Sequence, residues 1–131
     1  MTKVDRRSAL AIGLAAASAV MVKPAAAQTD TTVAPGVVAR VYSDGPAMIP
    51  GFKTVTLRDI IMQPGSNTPE SMGMPNAMVC HITEGELRVV QDGKSITAKK
   101  NFVWTCDKGT KEQVFNDGRV VAIMRITDLK A

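Results

Sequence analysis

The stretch Glu84-Gly85-Glu86-Leu87-Arg88-Val89-Val90-Gln91-Asp92-Gly93-Lys94-Ser95-Ile96-Thr97-Ala98-Lys99 holds two short β-prone segments joined by an Asp-Gly pair. A two-residue type I′ turn needs positive φ at both central positions, and Asp-Gly supplies it at little cost. The segment therefore predicts an antiparallel hairpin, with strands over Glu86 to Gln91 and Ser95 to Lys99. Working outward, the same alternation between turn residues predicts strands over Val37 to Tyr42, Lys53 to Met62, Met78 to Thr83, Phe102 to Cys106, Gln113 to Asn116 and Arg119 to Thr127. Ser43-Asp44-Gly45-Pro46, Pro64-Gly65, Glu84-Gly85, Lys108-Gly109 and a second hairpin candidate, Asp117-Gly118, separate them. After residue 27 no segment repeats its apolar residues with helical spacing over three turns. An all-β, antiparallel sandwich or barrel follows.

The amino terminus has a different character. Met1-Thr2-Lys3-Val4-Asp5-Arg6-Arg7 precedes an apolar, alanine-rich run from Ala9 to Val22. Lys23-Pro24-Ala25-Ala26-Ala27-Gln28 then offers an Ala-x-Ala cleavage site after Ala27. The run is too short and too weakly apolar for a membrane span. Arg6-Arg7-Ser8-Ala9-Leu10 resembles a twin-arginine export signal, which implies a periplasmic protein folded before export. The sequence divides accordingly into a leader (1–27), a polar, Pro-containing flexible linker (28–36) and one β-barrel domain (37–131). Of 16 Lys and Arg and 12 Asp and Glu, four basic residues and one acid lie in the leader, so the remainder has a net charge of about +1. That is too little to direct the domain to nucleic acid on charge. No phosphate-binding Gly loop, paired-Cys zinc pattern or catalytic triad motif appears.

In the order Pro64-Gly65, Glu84-Gly85-Glu86-Leu87, Asp92-Gly93, then Lys108-Gly109-Thr110 leading to Asn116, residues Val55 to Ile126 resemble the cupin family. The resemblance implies a single-domain jelly-roll barrel, or double-stranded β-helix, and frequent homodimers, for which an unpaired edge such as Val37 to Tyr42 would serve. It also implies a metal site of three His and one Glu. Aligned on Gly85 and on Gly109-x-x-Glu112-x-x-x-Asn116, those four positions are occupied by Met72, Met74, Met78 and Glu112. Thioethers are poor ligands for the hard and borderline ions that imidazole and carboxylate hold. The common metal-dependent activities of cupins are therefore not expected, and no catalytic residue is assigned.

Two readings of the methionines stay open. They fill and line a barrel pocket that takes a small molecule, with Met72, Met74, Met78, Cys80, Trp104 and Glu112 as candidates; or Met72, Met74 and Met78 bind Cu(I), with Cys80 on the same inward face as Met78. Glu112 is either a surface acid or a polar group aimed into the barrel. Cys80 and Cys106 are candidates for a disulfide, for free buried thiols or for soft-metal ligands. His81, the one histidine, alternates to the face opposite Met78 and Cys80 and reads as a partly exposed strand residue. The expectation is an exported, small-molecule-binding jelly-roll barrel, with the Cu(I) protein as alternative and an atypical enzyme less well supported.

Overall fold

A computed structural model describes residues 28–70 and 73–131. The expected leader, with Arg6, Arg7 and the anticipated cleavage after Ala27, lies outside the described residues, as does Met72. Nine strands make up the fold: β1 Thr29–Ala34, β2 Val37–Pro46, β3 Thr54–Met62, β4 Ala77–Glu84, β5 Glu86–Gln91, β6 Lys94–Lys99, β7 Val103–Cys106, β8 Glu112–Phe115 and β9 Ala122–Lys130. They form a six-stranded sheet ordered β1-β2-β3-β9-β4-β7 and a three-stranded sheet ordered β6-β5-β8, and every pairing is antiparallel. Among the described residues there is no helix, and so none long and apolar enough to cross a membrane. The all-β jelly-roll expectation holds.

Alternation builds the core. Along β9 buried and half-buried residues alternate from Ala122 to Asp128, and Ala122, Met124 and Ile126 meet Ile60, Met62, Met78, Cys80 and Ile82 of neighbouring strands. Leu87, Val89, Ala98 and Val114 close the core from the smaller sheet. Asp92 and Gly93 both have positive φ, 48° and 82°, as the type I′ turn requires. Gly85, with φ of 71°, brings the chain against β9: a Cβ there would lie 2.9 Å from Ala122 Cα.

Three expectations need correction. Residues 28–36, expected as a flexible linker, contain β1, which pairs with β2 over Thr29 to Ala34. Its mostly polar residues, exposed except for the half-buried Ala34, give no apolar alternation to read, yet Thr31, Thr32 and Val33 are β-branched and suit a strand. In consequence β2 lies between β1 and β3, and Val37 to Tyr42 is not an edge. Asp117-Gly118 does not form a hairpin either, because β8 pairs with β5 while β9 pairs with β3 and β4. The Asn116 side chain, 1% exposed, organises that crossing. It donates from Nδ2 to the carbonyls of Met62 and Val120 (3.0 and 2.9 Å) and accepts from the Gly118 N–H at Oδ1 (3.0 Å).

The β3–β9 pair carries two charged contacts on opposite faces. Arg125 grips Asp59 directly across the ladder (3.0 and 3.1 Å), and Tyr42 donates to the same carboxylate (2.6 Å). On the inward face Arg58 grips Asp128 (2.6 and 3.2 Å). Both aspartates are buried.

Candidate functional site

Pairing of β4 with β7 sets Met78 opposite Cys106 and Cys80 opposite Trp104; pairing of β4 with β9 and of β9 with β3 extends these rows to Asp128 and to Ile126 and Arg58. Because successive strand residues face opposite sides, all these side chains point toward the smaller sheet. From that sheet β8 contributes Glu112 and Val114, and β5 ends on Gln91. Of the two alternatives for Glu112, a surface acid or an inward polar group, the structure has the second: the residue is 5% exposed.

Glu112 Oε2 is the centre of a small polar network. It accepts from Cys106 Sγ (3.1 Å), Gln91 Nε2 (3.2 Å) and Trp104 Nε1 (3.3 Å), and Gln91 Nε2 also lies 2.9 Å from Cys106 Sγ. A buried carboxylate needs such donors, since an uncompensated one would be expelled from the core. Cys80 and Cys106 are buried free thiols rather than a disulfide. Their positions explain this: they are diagonal in the ladder, where Cα atoms stand about 7–8 Å apart, and a disulfide accepts at most about 6.8 Å. Hydrogen bonding with Cys106, then burial, push the Cys80 thiol well above its ordinary range.

Beside this network opens a cavity of about 190 Å³, lined by Ile60, Met74, Met78, Val114, Met124 and Ile126, with Arg58, Thr68 and Glu112 as its polar members. Met74 reaches it from a loop tied to the Gly109 turn by two backbone hydrogen bonds, Met74 N to Thr110 O and Gly109 N to Met74 O, both 2.8 Å. The structure thus brings Met74, Met78 and Glu112 to one cavity, and Cys80, Cys106 and Trp104 to its flank. His81 faces away, its Nε2 3.4 Å from Asn101 Oδ1. Sequence reasoning missed Arg58, Gln91, Thr68 and Met124. Arg58 and Met124 could have been found from strand alternation once the β3–β9 register was known, whereas Gln91 had no local signal.

Compared with solved structures, the chain superposes on KdgF from Halomonas sp. (9% identity, 79% of this chain and 87% of the other, TM-score 0.63). It matches an RmlC-like cupin from Shewanella frigidimarina (12%, 79% and 85%, 0.61) and a cupin domain from Schizosaccharomyces pombe (16%, 79% and 69%, 0.59). The chain has the cupin fold. No family model and no curated protein matches the sequence, and likeness at these identities bears on the fold alone. In this chain the positions that the sequence resemblance assigns to metal ligands include two thioethers, Met74 and Met78, and one carboxylate, Glu112. Among the described residues no three His, Cys, Asp or Glu side chains converge as a metal-holding group. A donor set of this composition does not suit the divalent ion of an imidazole-rich site.

Proposed function

We propose that this cupin is an exported binding protein whose barrel takes a small, neutral, mainly apolar ligand about the size of a single ring. The observation that carries the proposal is the cavity at Met74, Met78 and Glu112. At about 190 Å³ it is somewhat larger than the ~150 Å³ apolar cavity known to hold benzene. Its charged members are already engaged, Arg58 by Asp128 and Glu112 by three donors. Binding an ionised ligand would require breaking one of those arrangements, so shape and apolar contact are the expected basis of selection. Export rests on the leader sequence.

The test has two arms. Protein recovered from the periplasm is analysed by native mass spectrometry and solvent extraction for a co-purified molecule. The purified protein is also screened by thermal shift against small neutral aromatic and aliphatic compounds. The expected result is stabilisation by at least one compound, lost in Met74→Trp, whose indole fills the cavity from the loop side. An empty barrel together with no stabilising compound would reject the proposal.

A further inference from the structure

We infer that Cys80 and Cys106, with Met78 as third ligand, form a binding site for the soft monovalent ion Cu(I). This differs from the three-methionine site anticipated above, because its principal donors are the two thiols. It shares Met78 with the cavity of the small-ligand reading but rests on the two thiols, which flank that cavity and do not line it.

The argument begins with the ladder. Met78 and Cys106 are directly opposite, and Cys80 follows Met78 on the same face of β4, so three sulfurs occupy adjacent inward positions on two hydrogen-bonded strands. On this ladder Cys80 and Cys106 are diagonal neighbours, and Cys106 is the chief cause of the upward shift of the Cys80 thiol. The two are therefore close, yet their diagonal placement opposes an S–S bond; an ion bridging both sulfurs asks for a longer separation, which this placement provides. Thiolate and thioether donors favour Cu(I) and zinc among the biological metals. Zinc in structural sites takes four ligands in a tetrahedron, whereas Cu(I) is content with two or three soft donors, the number available here. β4, which carries two of the three sulfurs, is paired on both sides, by β9 and by β7, so these donors are held in place before any ion arrives.

Binding replaces protons and moves no electrons: Cu⁺ with two R–SH gives one anionic R–S–Cu–S–R unit and two H⁺. Glu112 Oε2, 3.1 Å from Cys106 Sγ, is placed to receive the first of these protons on its way to solvent. Gln91 Nε2, 2.9 Å from the same sulfur, can donate to the thiolate that remains.

The reduced protein is titrated anaerobically with Cu(I) held by a chromophoric chelator. One equivalent is expected to transfer from the chelator, with release of two protons. The Cys80→Ser/Cys106→Ser double variant should lose affinity by more than about a hundredfold, and Met78→Leu by about tenfold, as expected for loss of soft donors. Met74→Leu and Met74→Trp should bind as the unaltered protein does. Copper-edge X-ray absorption on the unaltered protein gives a readout that does not depend on the folding of any variant, and a shell of sulfur alone is expected. Copper remaining on the chelator, a nitrogen or oxygen shell, tighter retention of Zn²⁺ at the same cysteines, or undiminished binding by a folded double serine variant would each overturn the assignment.

Discussion

Asn116 shows how much one buried amide can carry. Its side chain satisfies two carbonyls and one N–H where the chain crosses between sheets, in a place that water does not reach. Asn116→Ala leaves those groups without partners and is expected to cost about 2–3 kcal/mol, read from the shift in denaturation midpoint; a change below about 0.5 kcal/mol would show that the crossing is held elsewhere. Tyr42 offers a cleaner probe, because it is the single tyrosine of the chain. Its hydrogen bond to the Asp59 carboxylate, helped by burial, raises its pKa above the ordinary 10.0. As pH climbs past about 10 the unfolded chain ionises first, so this contribution to stability is present below that value and fades as pH rises through the folded pKa. Tyrosinate absorbance should therefore appear at higher pH in folded than in unfolded protein, and Tyr42→Phe should flatten the alkaline fall in melting temperature. Coincident titration of the two states would contradict the hydrogen bond. At this scale the site was half legible: alternation turned Met78 and Cys80 inward without any structure, and counting from Gly109 nominated Glu112. Gln91 was invisible, because its 15-residue and 21-residue separations from Cys106 and Glu112 are closed only by folding.

Strands were legible in proportion to how locally their ends are determined. The bounds of β5 are those read from the sequence, since Asp92-Gly93 must adopt positive φ wherever it stands in a tight hairpin. The same dipeptide at Asp117-Gly118 misled, because a hairpin also requires that its two flanks pair, and that is a property of the sheets. β1 escaped notice for a complementary reason: a strand exposed on both faces has no side from which apolar residues must be withheld or supplied. Gly85 belongs to this scale as well, as the hinge that passes the chain from β4 in one sheet to β5 in the other. Gly85→Ala combines a left-handed backbone with a methyl driven against Ala122 and is expected to destabilise by about 2–3 kcal/mol. Amide exchange should localise the damage to β4, β5 and β9, and a variant as stable as the parent would mean that the β4–β9 contact yields easily.

For the whole molecule, the leader and the barrel make separate claims that a single experiment can join. Arg6→Lys/Arg7→Lys is expected to keep the protein in the cytoplasm while leaving the purified domain's melting temperature unchanged, as immunoblots of the two fractions would report. Periplasmic accumulation of the variant would exclude the twin-arginine route. The overall fold was readable because turn residues punctuate it at short intervals, and the likeness to solved cupins agrees with that reading. What the barrel holds was less readable, since a cavity is the space left by strands distant in sequence.

The ion pairs on the two faces of β3 and β9 have a further consequence, which concerns assembly. The partners are 66 and 70 residues apart in the chain, so this pairing has the high contact order that slows folding. A strand docking late onto a preformed β-surface is free to arrive one or two places out of step. Here any such slip separates Arg125 from Asp59 and leaves the buried Asp59 carboxylate without its cation, at a cost that the 43% exposure of Arg125 keeps below the ~3–5 kcal/mol of a fully buried pair. The misaligned state is thereby made unstable enough to come apart and try again, and the final strand carries its own means of proofreading.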